Sequence, residues 1–192
     1  MIKIGLTGNI GSGKSTVCKI FELLDVPVFY SDLEAKKLYK RDDVKLQLKH
    51  QFGDAVFKGL EVDFKKLASV IFSNKASLDF VNNLIHPLVF EDYGRWLENH
   101  SNSSYTIHES AILFEHSLER RFDKTIVVYS PEEIRIQRVM KRDSVSPEDV
   151  KKRISNQLSD KLKNEKADFV VTNDGLNMLI PQIVKINDLL TT

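Results

Sequence analysis

Ile2-Lys3-Ile4-Gly5-Leu6 runs directly into Thr7-Gly8-Asn9-Ile10-Gly11-Ser12-Gly13-Lys14-Ser15-Thr16, and the reading of the whole chain grows out of that succession. A short apolar, β-rich run gives way at once to glycines at 8, 11 and 13 and then to a helical pattern from Lys14 to Leu24. Residues 8–15 satisfy the full G-x-x-x-x-G-K-[ST] spacing in the strand–loop–helix setting that the spacing requires. In such a loop successive backbone N–H groups point inward and cradle phosphate oxygens, aided by the positive end of the helix dipole. Lys14 would reach the β- and γ-phosphates, and the Ser15 hydroxyl would ligate Mg²⁺. Gly8, Asn9, Ile10, Gly11, Ser12, Gly13, Lys14, Ser15 and Thr16 are therefore the nucleotide-binding candidates. The plainer alternative is a glycine-rich turn capped by Ser12 or Ser15; the complete motif in this setting disfavours it.

Four more β-rich runs follow: Val26–Tyr30, Tyr105–His108, Thr125–Tyr129 and Phe169–Thr172. Nearly continuous apolar strands alternating with helical patterns specify an α/β fold around a five-stranded parallel sheet covered on both faces. The spacing is uneven, for some seventy residues separate Tyr30 from Tyr105, and the excess reads as a helical insert over residues 32–100. Within it, Phe64, Leu67, Ala68 and Ile71, then Leu78, Val81, Leu84 and Ile85, recur at amphipathic spacing. Pro87 is expected to stop the second of these helices and permit a fresh start through Trp96 and Leu97. The insert is read as part of one domain, residues 1–192, because no repeat, low-complexity tract or proline-rich linker divides the chain.

Charge is balanced overall, 28 Lys and Arg against 27 Asp and Glu, which argues against binding nucleic acid through bulk charge. Locally it is not. Residues 135–166 hold ten basic side chains and five acids. Ser130-Pro131-Glu132-Glu133 and Ser146-Pro147-Glu148-Asp149 each read as a capping serine, a first-position proline and a capping-box acid, so the segment is expected to be two helices forming a hinged lid. Like charges would hold it open until ligands arrive. The single cysteine, Cys18, excludes an intrachain disulfide and is expected as a buried small hydrophobe. No apolar run exceeds four residues, so no membrane span is expected, and the compartment is read as cytoplasmic.

A regulatory GTPase would need D-x-x-G and N-K-x-D; no glycine has an Asp three residues earlier, and Asn74-Lys75-Ala76-Ser77 lacks the final Asp. An insert after the second strand together with an arginine-bearing lid favours phosphoryl transfer to a small acceptor. Asp32, following the second strand, has two readings. It can be the N-terminal acid of a helix capped by Ser31 with Glu34 completing a box. Its place at the C-terminal edge of a strand read as lying beside the first, where ligands bind in open α/β sheets, favours the other reading, a general base for the acceptor hydroxyl.

Residues along essentially the whole chain then carry a resemblance. The opening Ile4–Thr16, Asp32, Ile85-His86-Pro87-Leu88, Leu113-Phe114-Glu115, Arg138 with Lys141-Arg142-Asp143, Arg153 with Gln157, and Ala167-Asp168 through Asn173-Asp174-Gly175 resemble, in order, the dephospho-coenzyme A kinases. The resemblance implies a three-layer P-loop kinase with a helical acceptor-binding insert and a helical lid. It implies transfer of the γ-phosphoryl of ATP, with Mg²⁺, to the ribose 3′-hydroxyl of dephospho-CoA. It favours phosphate contacts for Arg138 and Arg142, whose planar forks can each hold two oxygens, and a second jaw from Arg153 and Gln157. Arg135, on the same predicted face, reads as solvated. His86 is either an acceptor contact or a helix-ending side chain satisfied by backbone, and Asn173 either reads adenine or caps a turn. Two departures from the family pattern stand out. The triplet Tyr30-Ser31-Asp32 keeps only the second of two acids, and Glu109-Ser110-Ala111-Ile112-Leu113 lacks a proline but retains in Glu109 a carboxylate for Mg²⁺. A nucleoside or nucleotide kinase of the same fold, or a non-catalytic ATP-binding switch, are the alternatives.

Overall fold

The computed structural model describes residues 1–191 and divides into two compact units, one of Met1–Tyr30 with His100–Thr192, the other of Ser31–Asn99. In the first, strands β1 (Ile2–Thr7), β2 (Val28–Tyr30), β5 (Tyr105–Glu109), β6 (Lys124–Tyr129) and β7 (Phe169–Thr172) make a wholly parallel sheet in the order β2-β5-β1-β6-β7. Strand β2 is therefore not beside β1, as the sequence reading had it. β5 lies between them, pairing Leu6 with Glu109 and Glu109 with Tyr30, so β1 is central and β2 an edge.

Alternation along the strands explains the packing. Ile4, Leu6, Ile107, Ile126 and Val128 form one buried cluster with Val17, Cys18 and Phe21 of helix α1 (Lys14–Glu22) and with Ile183, Ile186 and Leu190 of helix α9 (Leu179–Thr191). Burial holds the Cys18 thiol far above its ordinary range, the behaviour of a small hydrophobe. On the other side of the pleat His108 stacks on Phe29 at 5.2 Å and meets Phe122 at 5.1 Å, while Gly5 leaves the space that Leu113 and Phe122 fill. After β6 come α6 (Glu132–Asp143), α7 (Pro147–Ile154) and α8 (Asp160–Lys166), the last packing on β6. The sequence reading resolved only the first two. Ser146 caps α7 as expected, accepting from the Asp149 N–H at 3.2 Å. Ser130 does not cap α6: Pro131 occupies that position, and the Ser130 hydroxyl and carbonyl are taken by arginines of the helix itself.

The second unit holds α2 (Ser31–Leu38), α3 (Asp42–Phe52), a hairpin of β3 (Phe57–Lys58) and β4 (Glu61–Val62) turned at Gly59, then α4 (Phe64–Ser73) and α5 (Lys75–Glu98). Asp63 caps α4 and Asn74 caps α5. Helix α5 runs straight through Pro87, where the sequence reading placed a break. Proline forfeits one N–H bond, but Asn83, whose carbonyl would have received it, is exposed to water. Val81, Ile85, Val89 and Tyr93 bury one continuous face on both sides of it, and that packing outweighs a penalty of roughly 3 kcal/mol. No helix among the described residues is long and apolar enough to cross a membrane.

Candidate active site

The loop after β1 is shaped by what crowds it. Gly11 and Gly13 take φ of +80° and +95°, the left-handed region that favours glycine. A side chain at Gly11 would press on the Arg135 carbonyl at 2.6 Å, and one at Gly13 would overlap the Asn173 carboxamide. Gly13 is the helix N-cap with no side-chain cap bond, so neither Ser12 nor Ser15 plays the capping role. That leaves the positive end of the α1 dipole open to an anion. Lys14 folds back, its Nζ donating to the Gly8 carbonyl at 3.0 Å and lying 3.8 Å from Glu109 Oε1. Glu109 ends β5 in register with Leu6, and this pairing carries it to the loop.

Ser15 is exposed on the first turn of α1. Among the described residues no group of three or more His, Cys, Asp or Glu comes together to hold a metal. A hydroxyl and one carboxylate are nonetheless the donor set that suits Mg²⁺, which keeps several waters and takes its remaining ligands from substrate phosphates. Ser15 and Glu109 fit that ion.

Around the loop lies a polar frame. Arg138 donates from Nη1 to the Ser130 hydroxyl at 3.2 Å and the Gly11 carbonyl at 3.4 Å, and from Nη2 to the Asn173 carbonyl and side chain at 3.2 and 3.3 Å. Asn173 in turn donates to the Ser12 carbonyl at 2.7 Å. On the other flank the Ile10 N–H donates to Gln157 Oε1 at 2.9 Å, while Asn9 Nδ2 donates to the Leu158 carbonyl at 3.1 Å and Asp160 Oδ1 at 2.8 Å. Gln157, read from sequence as one half of a substrate-binding jaw with Arg153, thus sits on the glycine-rich loop.

Arg135 corrects the sequence reading. It is wholly buried rather than solvated, donating to Asp160 Oδ2 at 2.6 Å and to the Ser130 carbonyl at 3.0 Å. A buried guanidinium requires this partnering, since an unpaired one would be strongly destabilising. Lys163, equally buried, meets Glu115 Oε1 at 2.7 Å; burial lowers its pKa, and Glu115 opposes that shift. Glu115 also accepts from the Leu158 N–H at 3.2 Å. Asp160 and Lys163 escaped the sequence reading because nothing local marks them off from the other charges of residues 135–166; their partners lie 25 to 151 residues away.

The remaining arginines stand apart from this frame. Arg142 Nε lies 2.7 Å from Asp143 Oδ1, and Arg153 Nη1, one helix later, lies 2.7 Å from Asp143 Oδ2. Arg142's hydrogen bond, helped by Arg153, holds Asp143 below the usual carboxylate range. These are exposed ion pairs, worth about 0–1 kcal/mol.

In the helical unit Asp32 is exposed in the first turn of α2, favourable to the dipole there. Ser31 is the first helical residue, and Glu34 pairs with Lys37 at 2.7 Å. His86 is half-buried in mid-helix, which removes its reading as a helix-ending side chain. Tyr30, at the end of β2, is kept neutral by burial, with a hydrogen bond to Glu22 adding to the effect.

Comparison with known proteins follows this geometry. The family model for dephospho-CoA kinase matches residues 2–178. A dephospho-CoA kinase of Bacteroides fragilis (strain YCH46) is 40% identical over 186 residues, covering 96% of this chain and 91% of that protein. The crystal structure of TT1252 from Thermus thermophilus superposes with a TM-score of 0.90 at 32% identity, covering 100% of this chain and 98% of that one. Dephospho-CoA kinase from Campylobacter jejuni gives a TM-score of 0.71 at 26% identity, covering 98% and 96%.

Proposed function

The chain belongs to the dephospho-CoA kinase family and is a kinase of the dephospho-CoA step in coenzyme A synthesis; on that premise we propose that it transfers the γ-phosphoryl of ATP to the ribose 3′-hydroxyl of dephospho-CoA. The observation that carries this reading is the phosphate loop with Lys14 folded onto Gly8 and Glu109 beside it. Backbone N–H groups of Gly11, Gly13, Lys14 and Ser15 bind the phosphates, and Lys14 turns from the Gly8 carbonyl to the β- and γ-oxygens. Ser15 and Glu109 would hold Mg²⁺, which would neutralise charge on the phosphate oxygens. Arg138 and Asn173 serve the nucleotide by fixing the loop from its carbonyl side, and Gln157 does so through Ile10.

Arg142 and Arg153 leave Asp143 for phosphate oxygens, an exchange made easy by the small worth of exposed ion pairs. Asp32, the acid retained in Tyr30-Ser31-Asp32, takes the proton of the acceptor hydroxyl, and His86 contributes to acceptor binding. A lone buried thiol suits a reducing, cytoplasmic setting.

The test is ADP formation with ATP and a panel of dephospho-CoA, nucleosides and nucleoside monophosphates. Turnover that depends on dephospho-CoA is expected, with the new phosphate on the 3′-oxygen; turnover with a nucleoside alone, or with no acceptor at all, would overturn the reading. Asp32→Asn should lower kcat by about 10²–10⁴ with little change in ATP affinity. A variant that loses thermal stability but keeps its turnover would return Asp32 to the role of a helix-start acid.

A further inference from the structure

Both amide hydrogens of Asn9 are spent on one short stretch of chain. They go to the Leu158 carbonyl and to Asp160 Oδ1. Both neighbours are acceptors, which fixes the orientation of the carboxamide. Asn9 is itself buried, and its backbone carbonyl accepts from the Ser12 N–H at 3.0 Å, the bond that turns the phosphate loop. The other Asp160 oxygen receives Arg135 at 2.6 Å. Arg135 is the residue whose backbone lies against Gly11, leaving no room there for a Cβ. One carboxylate therefore grips the loop at Asn9 and, through Arg135, the helix that packs on the same loop two residues further along.

We propose that Asp160 is a positioning residue for phosphoryl transfer: by holding Asn9 with one oxygen and Arg135 with the other, it sets the phosphate loop in its anion-binding shape before nucleotide arrives. A glycine-rich loop left to itself samples many conformations, and each must be given up on binding. Two charge-assisted hydrogen bonds to one carboxylate restrict that freedom in advance. Asp160 never touches the substrate. Its effect reaches nucleotide affinity and phosphoryl transfer through Asn9 and Gly11, and it should leave the acceptor untouched.

The proposal rests on the nucleotide reading of the loop but not on the identity of the acceptor, so its test is read first without one. ADP dissociation constants are measured for wild type, Asn9→Ala, Asp160→Asn and the double variant, alongside KM for ATP and for dephospho-CoA. Asp160→Asn retains the shape but must turn an N–H₂ toward either Asn9 or Arg135, both donors. Each single variant should weaken ADP about tenfold, in line with the loss of one hydrogen bond to a charged group. The double variant should be no worse than the weaker single within about twofold, as for two residues acting through one contact. KM for ATP should rise in parallel while KM for dephospho-CoA stays within about twofold.

Additive losses, unchanged ADP affinity in folded Asp160→Asn, or equal rises in both KM values would each overturn the proposal. Asn9→Ala leaves the Arg135–Asp160 pair in place, so it decides the matter if Asp160→Asn fails to fold; unaltered ADP binding there is equally fatal. Wild type that binds ADP but does not phosphorylate dephospho-CoA would sink the proposed acceptor and leave this test standing.

Discussion

The flank of the phosphate loop and the tip where α6 meets α7 are both rich in charge, and they are built in opposite ways. Around Asn9 and Ile10 the cations are buried and paired over long sequence distances with half-buried carboxylates: Arg135 with Asp160, Lys163 with Glu115. At the tip, Arg142 and Arg153 are exposed and share the half-buried Asp143 at close range. Breaking a buried pair by removing one partner costs about 3–5 kcal/mol, whereas opening an exposed one costs about 0–1. On the proposed function, a buried frame would hold the loop that receives phosphate, and an exposed cluster would leave arginines free to change partners. On the proposed function the movable stretch is expected between Arg138 and Gln157, because Arg138 is bonded to the Gly11 carbonyl and Gln157 to the Ile10 N–H.

The sharpest way to break that comparison is to remove a group on each side. Lys14→Ala deletes the loop motif's own lysine, which is bonded to the Gly8 carbonyl, and kcat/KM for ATP should fall by about 10³ or more while circular dichroism stays unchanged. Arg142→Ala should cost less, about 10²–10³ in kcat/KM at saturating MgATP, since Lys14 and Mg²⁺ share the transition-state charge. Arg142→Lys should recover only part of that, because a point charge lacks the two-donor fork. Equal losses at the two positions, or full rescue by lysine, would erase the distinction between a fixed site and a fork that must find its geometry.

Acid should also separate the two regions. Burial pushes the His108 imidazole, under the loop's strand layer, down to about 4 from 6.5. Above pH 6.5 it is neutral in folded and unfolded chains alike. As pH falls toward 4 the unfolded chain binds a proton that the folded chain refuses, so stability drops, by about 3 kcal/mol over that window. Asp143 has its folded pKa depressed from 3.8, so its contribution persists through the same window and fades only as pH falls below it. Chemical denaturation of His108→Phe between pH 7 and 4 should show a flatter loss than wild type; an unchanged slope would remove His108 as its cause.

The contrast also marks what could be read without coordinates. The loop was legible because its chemistry is contiguous, eight residues whose spacing has few alternatives. The sheet's membership was legible from five β-rich runs, but its order was not, since nothing in Val28–Tyr30 says that β5 will pair with it. Pro87 misled because a local rule predicts a break while the burial of Val81, Ile85, Val89 and Tyr93 is a tertiary fact. Arg135, Arg138 and Arg142 share a spacing that suggests one face, yet only a carboxylate 25 residues away decides that the first is buried. Asp32 was singled out by its place at the end of the second strand and His86 only through the family resemblance; helical spacing alone would have left both among ordinary helix residues.

Amide hydrogen exchange, followed peptide by peptide with and without ADP and dephospho-CoA, measures the difference between frame and tip directly. Amides of α1 and of residues 158–166 should be strongly protected in both states, because their anchors are already made. Those of residues 144–155 should exchange fast in the free protein and slow by tenfold or more when both ligands bind. Protection that rises evenly from residue 132 to 166, or a tip as protected before ligands as after, would contradict a fixed receiving loop served by a movable pair of arginines.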